Sequence, residues 1–169
     1  MINPLVAALA GASSQQPFLS YLNFNQGIRI SYPPDWRKLD QSSPAGFIAV
    51  FGSPQEDISD RFSENLNIFI ESIPPGLTLE QYAQGCMQGM SQQPIQFLEN
   101  AQTTLAGRPA YRFVFIGPLQ APVPMSGKFL QHLIVANSKG YVVTYTAELQ
   151  KYDKFLPVIQ QMLNSLEIK

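Results

Sequence analysis

One histidine, one cysteine and one run of acidic residues are the groups in this chain whose types and spacing suggest chemistry. His132 lies between Gln131 and Leu133 in an apolar stretch that reads as a strand. An imidazole can act as a general base or a metal ligand, but a base needs a nucleophile beside it and a metal needs further donors. The expected state is a partly buried, hydrogen-bonded strand histidine, with metal ligation and base catalysis as the alternatives. Cys86 falls on an apolar helical stripe and is expected to be a small buried thiol. The acidic run Glu56, Asp57, Asp60, Glu64 offers oxygen ligands of the kind calcium prefers. It lacks alternating carboxylates and a central glycine, and Arg61 interrupts it. A solvated loop is expected, with weak divalent binding as the alternative.

Nucleophile elbows, phosphate loops, HExxH and strand-following GxGxxG are all missing. Gly127-Lys128 resembles the tail of a phosphate loop, but Phe129 stands where Ser or Thr would bind magnesium. The expectation is therefore a protein that is not an enzyme, with no catalytic residue and no bound cofactor. Two features point to partners instead. The loop Gly117 to Gly127 has no charge, three prolines and the apolar side chains Leu119, Val123 and Met125. Proline lowers the ordering cost of docking, so these three side chains are read as exposed candidates for a partner surface. The alternative is a stiffened connection over the sheet edge. Trp36, after Pro33-Pro34-Asp35, is either a lid on the core or an anchor for a partner.

The elements that position these residues follow from periodicity. Phe18 to Asn25 and Ile28 to Tyr32 alternate about a glycine turn, as a β-hairpin does. Gly46 to Phe51, Leu66 to Glu71, Ile95 to Leu105, Ala110 to Ile116, Lys128 to Ala136 and Tyr141 to Leu149 read as further strands, with a turn over Asn137 to Gly140. Thr78 and Gln81 form a capping box ahead of a helix. Its apolar stripe is Leu79, Tyr82, Ala83, Cys86, Met87 and Met90, expected to lie buried against the sheet. Gly85 and Gly89 weaken this helix, and a close approach to the sheet is the expected compensation. A second stripe, Phe155, Val158, Ile159, Met162 and Leu163, predicts a helix starting near Asp153 or Lys154, so that Pro157 falls in its first turn. Leu166 to Ile168 reads as a last short strand. Strands joined by short turns with two inserted helices imply an α+β fold with a mostly antiparallel sheet. Several strands are apolar on both faces, so the helices are expected on opposite sides, as an α-β-α sandwich.

At 169 residues the chain fits one domain, taken as 17–169, after a flexible N-terminal tail over 1–16. That tail has a short apolar stretch but no basic residue before Arg29, and Ala12 stands where a lipoprotein cysteine would follow Leu9-Ala10-Gly11. Charged residues make up 14%, so amides and hydroxyls must cover the surface, and 17 glutamines supply much of that cover. A net charge of −1 gives no positive field for nucleic acid. No apolar run is long enough for a transmembrane helix, and one cysteine excludes an internal disulfide. A monomer is expected.

The stretch Ile28-Arg29-Ile30-Ser31-Tyr32-Pro33-Pro34-Asp35-Trp36 resembles the PsbP family, the extrinsic oxygen-evolving-enhancer proteins of photosystem II and their cyanobacterial and bacterial relatives. Phe51-Gly52-Ser53-Pro54, Thr104 to Ala110 and Tyr141 to Ala147 agree with it in order, as does the terminal Ser165-Leu166-Glu167-Ile168. The resemblance spans about residues 18 to 168 and implies the family's α-β-α sandwich. It also implies a non-enzymatic assembly or stabilisation factor for a photosynthetic membrane protein complex, in the thylakoid lumen or on its membrane. The lipoprotein cysteine of cyanobacterial members is absent, and no histidine pair is present to carry the metal binding of some relatives. The same fold class includes a yeast nuclear-import factor and bacterial lipoproteins. The other reading is therefore a PsbP-fold domain binding a small ligand or another protein in the periplasm or cytoplasm.

Overall fold

A computed structural model of the chain describes residues 16–39, 47–121 and 123–169. The tail expected over 1–16 lies outside these residues, except Gln16. The elements are β1 (Leu19–Asn23), β2 (Ile28–Tyr32), β3 (Arg37–Leu39), β4 (Phe47–Gly52), β5 (Asn65–Ser72), α1 (Leu79–Met90), β6 (Gln96–Leu105), β7 (Arg108–Pro118), β8 (Ser126–Ala136), β9 (Lys139–Glu148), α2 (Tyr152–Asn164) and β10 (Glu167–Ile168).

Seven strands form one sheet in the order β3-β4-β5-β9-β8-β7-β6, and β1-β2-β10 form a second, small sheet. Every paired strand is antiparallel. Tight turns make this possible. Asn137 and Ser138 both have positive φ, as do Ala106 and Gly107, the backbone of two-residue hairpins. The β8–β9 turn is thus shorter than the Asn137–Gly140 expected, and Gly140 belongs to β9. Its reason is a close approach: a Cβ there would sit 2.5 Å from the Tyr82 ring.

Each face of the large sheet has its own apolar cluster, which is why β7, β8 and β9 read as apolar on both sides. On one face α2, β2 and β10 bring Ile159, Met162, Leu163, Ile28, Ile30 and Ile168 against Leu66, Ile68, Val143 and Tyr145. On the other, α1 brings Tyr82 and Ala83 against Phe113, Phe115 and Leu133. The small sheet is tied down by local chemistry. Ser31 N–H donates to Ser165 Oγ at 2.8 Å, and the Arg108 guanidinium donates to the Ile168 carbonyl at 3.2 Å.

Both bonds of the Thr78–Gln81 capping box are present. The stripe behind it is shallower than expected: Tyr82 and Ala83 are buried, whereas Leu79, Cys86, Met87 and Met90 are only half-buried. Gly85 and Gly89 face open space, so no close approach compensates their cost. The second helix starts at Tyr152, ahead of the expected residue, which puts Pro157 in its second turn. Pro157 lies on the exposed side, where water can take up the carbonyl it leaves unbonded.

Candidate binding cleft

The helix α1 covers only part of its sheet face, across β7 and β8. The remainder forms an open cleft of about 700 Å³. Strand register explains its lining. Asn65 of β5 sits opposite Thr146 of β9, which sits opposite Phe129 of β8, then Phe115 of β7. One step along, Asn67, Thr144 and Gln131 form a parallel row. A strip of amides and hydroxyls therefore crosses three strands. Gln131 Nε2 donates to Thr144 Oγ1 at 3.1 Å, which holds the strip in order. Aromatic rings bracket it. Phe115 and Phe129 stack at 4.7 Å on one side, and Phe47 and Phe69 meet edge-on at 5.8 Å on the other. Phe62 and Leu119 also border the cleft, and no ionisable side chain among the described residues lines it.

Phe62 is carried by the segment between β4 and β5, and that segment is fastened by the acidic run. Lys151, at the start of α2, places its ammonium 2.7 Å from Asp60 Oδ1, 3.1 Å from Glu56 Oε2 and 3.2 Å from Glu148 Oε1. Lys154 also pairs with Glu56. Glu64 is fully buried behind them. The Glu148 N–H and the Ser53 hydroxyl reach its carboxylate at 3.4 Å each. Burial pushes the Glu64 carboxyl above its ordinary pKa, against the opposing hydrogen bonds and the Lys151 charge. Burial also pulls Lys151 down, but its bonds to Asp60 and Glu148 outweigh this and raise it.

The expectation of a solvated acidic loop is thus corrected for two of its residues. Glu64 is buried, and the Asp60 side chain is only 2% exposed. Asp57 stays apart and exposed, bonded to the Ser59 N–H and hydroxyl. Glu56, Asp60 and Glu64 bring carboxylate oxygens within 4.8 Å of one another, as metal ligands would. The Lys151 and Lys154 ammoniums already pair with carboxylate oxygens of that set. Millimolar calcium or manganese is expected to shift the melting temperature by less than about 1 °C, whereas a ligand binding the native state tightly would raise it by mass action.

The other candidates fall elsewhere. Leu119, read as exposed, is buried at 8% exposure. Its Cδ2 fills the space where a side chain on Gly127 would be, 2.3 Å from the position of a Cβ there. Gly117 pairs with Gly127 and Pro118 with Ser126, so the connection itself is only 119–125. Val123 and Met125 are half-buried. Trp36 is buried and packs edge-on against Phe155 of α2 at 6.2 Å, as a lid on the core does. His132 lies on the α2-facing side of β8, away from the cleft. Its expected hydrogen bond is missing at Nδ1, which is buried without a partner. Cys86 is half-buried beside Tyr82 and Glu71, and burial raises its thiol pKa, which keeps it unreactive. The cleft itself was missed in the sequence, because its polar strip assembles only through the pairing of β5, β9 and β8.

No helix among the described residues is long and apolar enough to cross a membrane. No protein-family model matches the chain, and no curated protein matches it by sequence. Solved structures do match over nearly its whole length. Cyanobacterial PsbP (CyanoP) from Synechocystis sp. PCC 6803 superposes with a TM-score of 0.63 at 16% identity, covering 97% of this chain and 99% of that one. LpqN, involved in cell envelope biogenesis of Mycobacterium tuberculosis, gives 0.65 at 14% identity, covering 90% of each chain. The Ran-binding protein Mog1p of Saccharomyces cerevisiae gives 0.59 at 10% identity, covering 89% of this chain and 95% of that one. At these identities the likeness is one of architecture, and the chain has the PsbP-like fold.

Proposed function

We propose that this protein is a non-enzymatic binding module that holds an uncharged segment of a partner polypeptide in its sheet-face cleft. The observation that carries this is the lining: among the described residues, five phenylalanine rings around a strip of Asn, Gln and Thr, with no ionisable group. Such a surface offers apolar contact and neutral hydrogen bonds, and it lacks the base, nucleophile or charge that bond-breaking chemistry needs. The partner in this reading belongs to a photosynthetic membrane protein complex, met on the thylakoid-lumen side. The likeness to CyanoP over nearly the full chain supports that choice. A second reading, a small neutral ligand bound in the periplasm or cytoplasm, is supported by the cleft volume, which lies in the usual range for small-molecule sites.

Pull-down from detergent-solubilised thylakoid membranes tests the first reading. The wild type is expected to retain photosystem subunits. The Asn67→Ala/Gln131→Ala variant should retain about tenfold less, the equivalent of 1.4 kcal/mol. Equal retention by both would remove the cleft from the interface. A co-purified small molecule, seen as a mass shift by native mass spectrometry and absent from the variant, would establish the second reading instead.

A further inference from the structure

We infer that His132 is an acid-sensitive latch: protonating it releases α2 from the large sheet. The residue is 7% exposed, and its Nδ1 has no hydrogen-bond partner. Along β8 it lies between Leu130 and Ile134, which share its face and pack in the cluster that receives α2. Across the sheet its neighbours are Val143 of β9 and Arg112 of β7. A neutral imidazole is tolerated there at the cost of one unmade bond. An imidazolium is not, because the charges around it are of the wrong kind.

Arg112 is a cation, and Lys128, two turns of the pleat away on the same face, lies over the Tyr152 ring of α2 at 4.2 Å. The carboxylate His132 feels is Glu99 of β6, and Glu99 is already bound by the Arg112 guanidinium. From α2, the Tyr152 phenol feels the same Arg112 and Glu99 charges that act on His132. Val143 of β9 brings no charge. Burial chiefly, then Arg112, lowers the His132 pKa from 6.5 to about 4, with Glu99 opposing.

The sign of the pH effect follows. Between pH 6.5 and 4 the closed state binds fewer protons than a state in which the ring meets water. The stability His132 contributes is complete above pH 6.5 and is lost as pH falls toward 4. The element to yield is α2. It packs on β9, the strand beside β8, and shares one apolar cluster with Leu130 and Ile134. Side-chain packing and the Lys151 cluster hold it, whereas β8 itself is bonded on both edges.

Two readouts test this directly. The chain has one histidine, so its imidazole Cε1–H proton gives a single, unambiguous NMR resonance. That resonance is expected to titrate near pH 4 in the folded protein. Amide exchange should show α2 opening about thirtyfold more often at pH 5 than at pH 7.5, the ratio set by a pKa moving from 6.5 to about 4. Over the same range β5 and β9 should stay protected. Trp36, packed on Phe155 of α2, should change its fluorescence in step. In His132→Leu the acid-dependent part of both signals should vanish. A resonance titrating near 6.5, equal acid opening in wild type and His132→Leu, or uniform loss of protection across β5, β9 and α2 would each overturn the latch.

Discussion

Lys151→Met is expected to destabilise the protein by about 3–5 kcal/mol at pH 7, measured by urea unfolding. The size comes from what the ammonium leaves behind, not from the strength of any one pair. Asp60 is 2% exposed at its side chain and Glu64 is fully buried. Without Lys151 these two buried carboxylates are left as like charges beside the partly exposed Glu148. Among the described carboxylates Lys154 pairs with Glu56 alone, so it does not replace the lost cation. The loss should shrink as pH falls, because burial already holds the Glu64 carboxyl above its ordinary pKa and the Lys151 charge opposes that. With that raised carboxyl and no Lys151, the folded variant binds more protons than its unfolded chain and gains relative stability as pH falls. Asp60→Asn in the Lys151→Met background should recover part of the stability, since it removes a stranded charge. That recovery is a coupling a double-mutant cycle can read. If Lys151→Met costs less than about 1 kcal/mol, the cluster is an ordinary surface network and does not fasten the loop that carries Phe62.

How far this arrangement is legible in the sequence depends on range. Thr78 and Gln81 announce their helix because the cap spans only four residues and is self-contained. The apolar doubling of Tyr111 to Ile116 and of Lys128 to Ala136 announces helices on both faces, since a strand so built must be covered twice. What pairs across long distances is not announced. Glu64 and Lys151 are both visible as charges, yet only the β5–β9 pairing brings Glu64 to Glu148 and so to the start of α2. The small sheet is hidden for the same reason: β10 is two residues long, and nothing near it in sequence names β2 as its partner. Gly85 and Gly89 mislead in the opposite direction. Glycine in a helix suggests a close approach, but these two face solvent and Gly140, on β9, makes the approach to Tyr82.

Leu119→Ser is expected to cost about 2–4 kcal/mol, while Val123→Ser/Met125→Ser should cost less than about 1 kcal/mol. The composition of the Gly117–Gly127 loop suggests one apolar surface, but the structure divides it. Leu119 lies over Gly127, and its N–H donates to the Met125 carbonyl at 2.9 Å. Serine there would leave a cavity and put a hydroxyl among the apolar wall of the cleft, so both the transfer and the cavity contributions are lost. Val123 and Met125 are half-buried, and removing them exposes little that was dry. The two variants therefore separate folding from docking. If the loop forms part of the partner surface, Val123→Ser/Met125→Ser should keep its melting temperature and lose thylakoid-complex retention. If it keeps both, the loop is a brace for the cleft wall, and recognition is confined to the amide strip and its phenylalanine borders. A Leu119→Ser variant as stable as the wild type would show that Leu119 does not hold the wall at all, and the cleft would have to be defined without it.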